Sequence, residues 1–237
     1  MAKQLDSKFW KNYFEAYDIL NEAIPYRDLM LALVTALDPQ NGEQILDAGA
    51  GTGNLSVRLA ARGAKVTALD SSPEGLERCK KKNGKITTIV HNLEKPLPFA
   101  NSSFDKIGSN NVVYLIAKDK RPALFKEWYR ILKPGGILVV SDVHTRFEPM
   151  AIYQEHIRQY KKENGLLKTI WHLLGFVLPT LRMFRHNATI KKSNRGQEIA
   201  FITEHEHEVL MKEAGFTEIS EPKSVYAKQG YLTRGRK

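Results

Sequence analysis

The chain has 237 residues, 42% of them apolar, a formal charge of +10 and one cysteine. That length suits one domain with a substantial core, and the lone thiol, Cys79, excludes an internal disulfide and makes a cysteine-based metal site unexpected. A reducing cytoplasm is the expected compartment, no apolar core follows the charged start as a signal peptide would require, and the basic excess leaves nucleic acid, an anionic membrane surface or a basic proteome open.

Residues 1–40 read as helices. Phe9, Trp10, Tyr13, Phe14 and Tyr17 recur at intervals of three and four, and Leu20, Ile24 and Tyr26 continue that face. Pro25 marks a break before a second periodic run at 26–37. The bland reading is an aromatic stripe that packs a cap onto the main domain. A turn at Pro39-Gln-Asn-Gly42 separates this cap from a domain over 41–237.

Residues 45–72 have the pattern of strand, glycine turn, helix and strand, the length of a parallel crossover. The turn is Gly49-Ala50-Gly51-Thr52-Gly53, and a backbone that brings its N–H groups to a ligand needs positions without a Cβ or with positive φ. Asp70 lies 21 residues after Gly49, at the same carboxyl edge of the sheet, where its carboxylate can accept from two ribose hydroxyls. A nucleoside-bearing cofactor is the expectation. The dinucleotide fingerprint fails because Asn54 stands where its third glycine belongs, and no Lys-Ser/Thr pair follows the turn as a Walker loop requires.

Pro73 opens a helix capped by Ser71 or Ser72 and running to about Lys82. Residues 86–90 form a β-branched strand with His91-Asn92-Leu93-Glu94 at its carboxyl edge, and Ser103-Phe104-Asp105-Lys106-Ile107 leads into a fourth strand ending at Asn110-Asn111. A helix over 118–132 with Trp128 on its apolar side runs into Leu132-Lys-Pro-Gly-Gly136 and a fifth strand over 137–141.

Asp47-Ala-Gly49-Ala-Gly51-Thr-Gly53, the Leu-Pro-Phe segment after Asn92, Phe104-Asp105 and Leu132-Lys-Pro-Gly-Gly136 together resemble the class I S-adenosylmethionine-dependent methyltransferases across residues 45–142. The resemblance implies a Rossmann-like α/β fold: seven strands, mostly parallel, helices on both faces, an N-terminal helical lid and a helical insertion after strand five. It implies S-adenosylmethionine bound by Asp47, Gly49, Ala50, Gly51, Gly53, Asp70, Ser71, Asn92, Leu93 and Asn110, with Asp47 near the amino acid end and no metal. Asn92 stands where an aspartate is usual, so its bond to an adenine amino group is that of a neutral acceptor. The lid of such enzymes places Tyr13, Tyr17 or Tyr26 over the cofactor mouth. Asn111 and His144 are candidates to line the acceptor pocket, with His144 as base and Tyr17 as an orienting group.

Residues 143–200 read as the variable substrate cover. A helix over 150–164 is broken by Gly165, and 166–184 is apolar on nearly every side with Lys168 and Arg182 inside it. Those charges and Pro179 argue against a membrane span. It is either a buried helix roofing a greasy substrate cavity, the favoured reading, or a helix lying in a membrane interface with its bases on anionic headgroups. Both point to a small, hydrophobic or lipid-like acceptor. RNA or protein methylation is the alternative, although Asn110-Asn111-Val112-Val113 lacks the N/D-P-P-Y/F pattern used on nucleobases; a non-catalytic cofactor-binding subunit is the third. His205 and His207, two apart on a helix entered through Thr203-Glu-His-Glu206, do not share a face for a metal. The AGFTEI stretch leads to a sixth strand, 224–231 is the last strand, and the basic TRGRK closes the chain.

Overall fold

The computed structural model describes residues 12, 18, 22–193 and 200–237; Tyr13 and Tyr17 lie outside the described residues. After helix α1 (Ile24–Leu37), the chain alternates strand and helix: β1 (Gln44–Ala48), α2 (Asn54–Ala60), β2 (Lys65–Asp70), α3 (Pro73–Lys82), β3 (Thr87–Val90), β4 (Phe104–Asn110), α4 (Arg121–Ile131), β5 (Leu132–Val143). A long helix α5 (Pro149–Ser193), α6 (Glu206–Ala214), β6 (Lys223–Val225) and β7 (Gly230–Arg236) complete it. The sheet runs β3-β2-β1-β4-β5-β7-β6, with the first five strands parallel and β7 antiparallel to both neighbours. Order reverses at β1 and β4, so a crevice opens at their carboxyl ends.

Each face of the sheet carries its own apolar layer. Leu29, Met30, Leu33 and Leu37 of α1 pack with Leu55, Leu59 and Leu76 on one face, and Phe125, Trp128, Leu210 and Met211 pack on the other. The sequence motifs hold the far edge together: Lys133 Nζ reaches Asp105 Oδ1 at 2.7 Å, joining the Phe-Asp strand to the Lys-Pro-Gly-Gly turn.

Three expectations are corrected. The AGFTEI stretch is not a strand; Thr217 makes only an isolated bridge to Arg236. The stretch 224–231 is not one strand, because Tyr226, Ala227 and Lys228 all take positive φ and form the turn between β6 and β7. The last strand also takes in the basic tail: Thr233–Arg236 pairs with β5 through Ile137↔Arg236, which an apolar pattern does not announce because alternate side chains carry charge. The fourth helix begins at Arg121, after two 3-10 turns at Val113–Leu115 and Lys118–Lys120.

The second half of α5 also differs from the favoured reading. Gly165, at φ 77° and ψ 170°, breaks the helix as expected. Beyond it, Leu167 is 77% exposed and Trp171 76%, with Leu174, Leu178 and Leu181 also exposed. Among its described side chains, the apolar ones are mostly exposed rather than roofing a greasy cavity, and Thr169 and His172 are turned inward. Among the described residues no helix is long and apolar enough to cross a membrane.

Candidate cofactor and acceptor site

The crevice is built from the ends of β1, β2 and β4. Gly49, Gly51 and Gly53 have φ of 80°, 52° and 77°. Gly49 and Ala50 N–H both donate to Leu69 O, at 2.8 and 3.0 Å, tying the turn to β2. Two of the glycines serve different ends. A Cβ on Gly53 would lie 2.2 Å from Cys79 Sγ, so that glycine lets α2 and α3 close up. A Cβ on Gly51 would meet nothing among the described residues within 4 Å, so it is the φ of Gly51, rather than packing, that constrains the position.

Asp70 ends β2, and both its oxygens are bound to the backbone: Gly51 N–H donates to Oδ2 at 2.8 Å and Ser72 N–H to Oδ1 at 2.8 Å. Burial pushes its pKa up, and the backbone donors of Ser72, Gly51 and Ser71 act against that. Each oxygen retains lone-pair capacity for a ligand hydroxyl. Ser72, not Ser71, caps α3, accepting from Gly75 N–H at 3.1 Å; Ser71 stays exposed beside Asp70.

Asp47 is 2% exposed beneath the turn, where Ser56 Oγ donates to its Oδ2 at 2.5 Å. Burial raises its pKa to about 7, with the Ser56 hydrogen bonds opposing. The same burial, with the Asp47 charge nearby, lifts Cys79 to about 11, so the one cysteine is held as a thiol.

Across the crevice, Asp47 pairs with Gly108, so two residues further along each strand stand Gly49 and Asn110. Asn110 Oδ1 is buried with no hydrogen-bond partner among the described residues, which leaves an acceptor open at the end of β4. Asn111 takes φ 57° and donates its N–H to Ser141 O at 2.7 Å, so its backbone is the hinge out of β4. Asn92 is exposed and its Oδ1 accepts from Glu94 N–H at 2.9 Å, turned into its own loop; Leu93 is 7% exposed and joins the core.

The residues proposed for the acceptor side are less assembled. Tyr26 is 4% exposed in the α1 packing layer, edge-on to Tyr226, and its hydroxyl accepts from Asn54 Nδ2 at 3.3 Å. It packs the core instead of covering the mouth, because α1 lies flat on the sheet. His144 has both ring nitrogens bonded to backbone: Nδ1 accepts from Arg146 N–H at 3.0 Å and Nε2 donates to Lys228 O at 2.8 Å. Both ring nitrogens are thus engaged by backbone groups of the loops beside β5.

Three contacts escaped the sequence reading. Asp18 reaches the glycine turn from the N-terminal segment, where Thr52 Oγ1 donates to its Oδ1 at 2.6 Å, and Lys82 Nζ spans Asp18, Thr52 and Asn54 at 3.0, 3.1 and 2.8 Å. Asp142, at the end of β5, is 1% exposed with Oδ2 3.1 Å from His207 Nε2, while Tyr114 N–H approaches its Oδ1 at 3.4 Å. Arg121, 1% exposed, donates to Ile116 O at 3.1 Å and Ala200 O at 2.5 Å and pairs with Glu206. The only hint in the sequence was placement: Asp18 directly follows the aromatic stripe, and Asp142 leaves strand five.

Among the described residues one group could offer three metal-ligand atoms, His205, Glu208 and Glu221. His205 Nδ1 is already 2.5 Å from Glu208, whose hydrogen bond raises the histidine's pKa, so the pair is an exposed ion pair far in sequence from the turn.

A seven-stranded sheet of this order, with a glycine turn at the switch point and an acidic residue ending β2, defines a nucleoside-cofactor domain of the methyltransferase type. The family model described as a methyltransferase domain matches residues 45–136. An uncharacterized methyltransferase of Synechocystis sp. is 33% identical over 147 residues, covering 59% of this chain and 64% of the relative. A demethylmenaquinone methyltransferase of Clavibacter sepedonicus is 38% identical over 144 residues, covering 57% and 56%. The chain thus spans less than two thirds of the length of these relatives. A TehB-like SAM-dependent methyltransferase of Corynebacterium glutamicum shares the fold, with a TM-score of 0.65 at 16% identity over 98% of this chain and 100% of the other. Residues 45–136 thus match the methyltransferase-domain family, and the described sheet has the fold of a solved S-adenosylmethionine-dependent methyltransferase.

Proposed function

We propose that the protein transfers a methyl group from S-adenosylmethionine to a small, hydrophobic or lipid-like acceptor. The observation that carries this reading is the meeting at one sheet edge of an open Gly51, a backbone-bound Asp70 carboxylate and the unsatisfied Asn110 Oδ1. These groups fit the cofactor's donors. Asp70 holds the turn in shape and keeps lone pairs for two ribose hydroxyls. Asn110 Oδ1 accepts from an N–H donor, and the ammonium of the cofactor's amino acid end favours the ionised form of Asp47 beneath the turn.

When bound, S-adenosylmethionine supplies a methyl activated on a sulfonium. The chain's own contribution is orientation, which provides much of the rate in such reactions. His144, bonded at both nitrogens, stabilises the loop after β5 and is not poised as a base, which favours an acceptor atom that arrives with its lone pair or carbanion character already available. Asn111 and buried Val112 stand where nucleobase enzymes of this fold carry a proline pair, and buried Val113 where they carry an aromatic ring; the similarity to a demethylmenaquinone methyltransferase supports an apolar acceptor.

The test is incubation of the protein with methyl-labelled S-adenosylmethionine and a cell extract, followed by partition. Label in the solvent-extractable small-molecule fraction, lost with Gly51→Arg, is expected. Label in precipitated RNA or protein, or none in any fraction, overturns the acceptor assignment.

A further inference from the structure

The second half of α5 is built inside out. Thr169 is 2% exposed and donates its Oγ1 to Gly165 O at 2.7 Å, His172 stacks on Tyr160 with ring centroids 4.0 Å apart and planes 4° apart, and Thr180 pairs with the Tyr153 hydroxyl at 2.7 Å. Those polar residues face the first half of the helix. The opposite side is Leu167, Ile170, Trp171, Leu174, Leu178 and Leu181, each between 49% and 77% exposed. At ~100° per residue the six lie within about 100° of arc, a single continuous stripe. A soluble helix normally turns such a stripe inward, and a contiguous exposed one marks an interaction surface.

Charge selects what covers it. Between Glu163 and Glu198 there is no acidic residue, whereas Lys168, Arg182, Arg185, Lys191, Lys192 and Arg195 all fall there. Lys168, Arg182 and Arg185 are exposed, and on the same projection Lys168 and Arg182 flank the stripe on one side. Two copies meeting face to face would oppose basic strips with no carboxylate between them. A polyanionic plane with an apolar interior satisfies both features, since the stripe enters the acyl region and the bases remain at the phosphates by snorkelling. The exposed indole of Trp171 suits that interface.

We propose that the second half of α5 lies in the plane of an anionic lipid bilayer surface, its leucine and tryptophan stripe submerged and Lys168 and Arg182 at the headgroups. This goes beyond the methyl-transfer reading and does not depend on it. Each exposed base near the surface adds to an attraction that salt screens, whereas the apolar stripe is insensitive to salt.

The experiment is flotation of the full chain with phosphatidylcholine vesicles, with and without phosphatidylglycerol, at low and high salt. Co-flotation with the anionic vesicles, weaker at high salt and at least tenfold weaker on phosphatidylcholine alone, is the expected result. Trp171→Glu and Leu174→Glu each reduce it at least tenfold, and Lys168→Glu/Arg182→Glu reduces it on anionic vesicles only. S-adenosylmethionine affinity by calorimetry stays unchanged in all of them, which reports an intact fold and keeps this test separate from that of methyl transfer. Absence of wild-type flotation on either vesicle, or flotation indifferent to the stripe variants, overturns the proposal. So does a dimer, measured by sedimentation, that the same stripe variants dissociate.

Discussion

Residues 45–72 and helix α5 put the same residue types to opposite uses. In the glycine turn, nearly every polar group is engaged: Asp70 by two backbone N–H groups, Asp47 by Ser56, and Thr52 by Asp18 and Lys82. The openings that remain among the described residues are above Gly51 and at Asn110 Oδ1, where the proposed cofactor would sit. In the second half of α5, polar Thr169 and His172 turn inward and leucines turn out. One region is finished apart from its ligand. The other is finished only against a surface, and its apolar content says how much is to be buried without saying on which side.

The largest effect that would break this contrast is at the turn. Gly51→Arg meets open space at its Cβ but strains a positive φ, so a somewhat lower melting temperature with a retained helical circular dichroism spectrum is expected, while S-adenosylmethionine affinity falls by ~100-fold or more, or about 2.7 kcal/mol. Retained affinity by calorimetry would place the cofactor elsewhere. Asp70→Ala is expected to cost about 10- to 100-fold, the scale of hydrogen bonds to a charged group, and part of that loss will appear as a lower melting temperature because Gly51 N–H loses its acceptor.

The Asp47 carboxyl gives a pH signature confined to the turn. Burial raises its folded pKa to about 7, so the stability it contributes is full below the unfolded value of about 3.9 and is lost as pH rises through about 7. Melting temperatures of the ligand-free protein should fall over that range, and Asp47→Asn should flatten the fall. A cationic ligand works the other way, so S-adenosylmethionine affinity should rise toward pH 7 in the wild type and less so in the variant.

The smallest effect belongs to α5. His156 Nδ1 accepts from Ile24 N–H at 3.2 Å and its Nε2 lies 3.0 Å from His172 Nε2, a seam between α5 and α1. Burial lowers the His156 pKa, aided by His172 and Arg27. The stability of this seam is therefore present above about 6.5 and is lost as pH falls toward the depressed value. Hydrogen exchange normalised for pH should speed up in α5 between pH 7 and pH 5 while β1 and α2 stay protected. Equal loosening of both regions would mean that they unfold as one unit.

Much of the scaffold was legible because its signals are local. Gly49, Gly51 and Gly53 must take positive φ, Pro73 starts a helix after Ser72, and Gly165 ends one. The hairpin at 226–228 was not legible, since Tyr226, Ala227 and Lys228 are ordinary residues whose positive φ is imposed by the pairing of β6 with β7. At the site, Asp70 and the glycines followed from spacing along one crossover. The Asp142–His207 pair joins residues 65 apart, and the two backbone bonds of His144 include one to Lys228, 84 residues away.

The sequence by itself determined the crossover, the glycine turn and its acidic partner, and so the kind of cofactor the family binds, because backbone sterics and strand length act within some 25 residues. Only the tertiary structure decided that Tyr26 belongs to the core, that His144 is committed to backbone, and that the α5 stripe faces outward. Which side of a helix is buried depends on what the rest of the chain packs beside it, and that neighbour is supplied by residues far away along the chain.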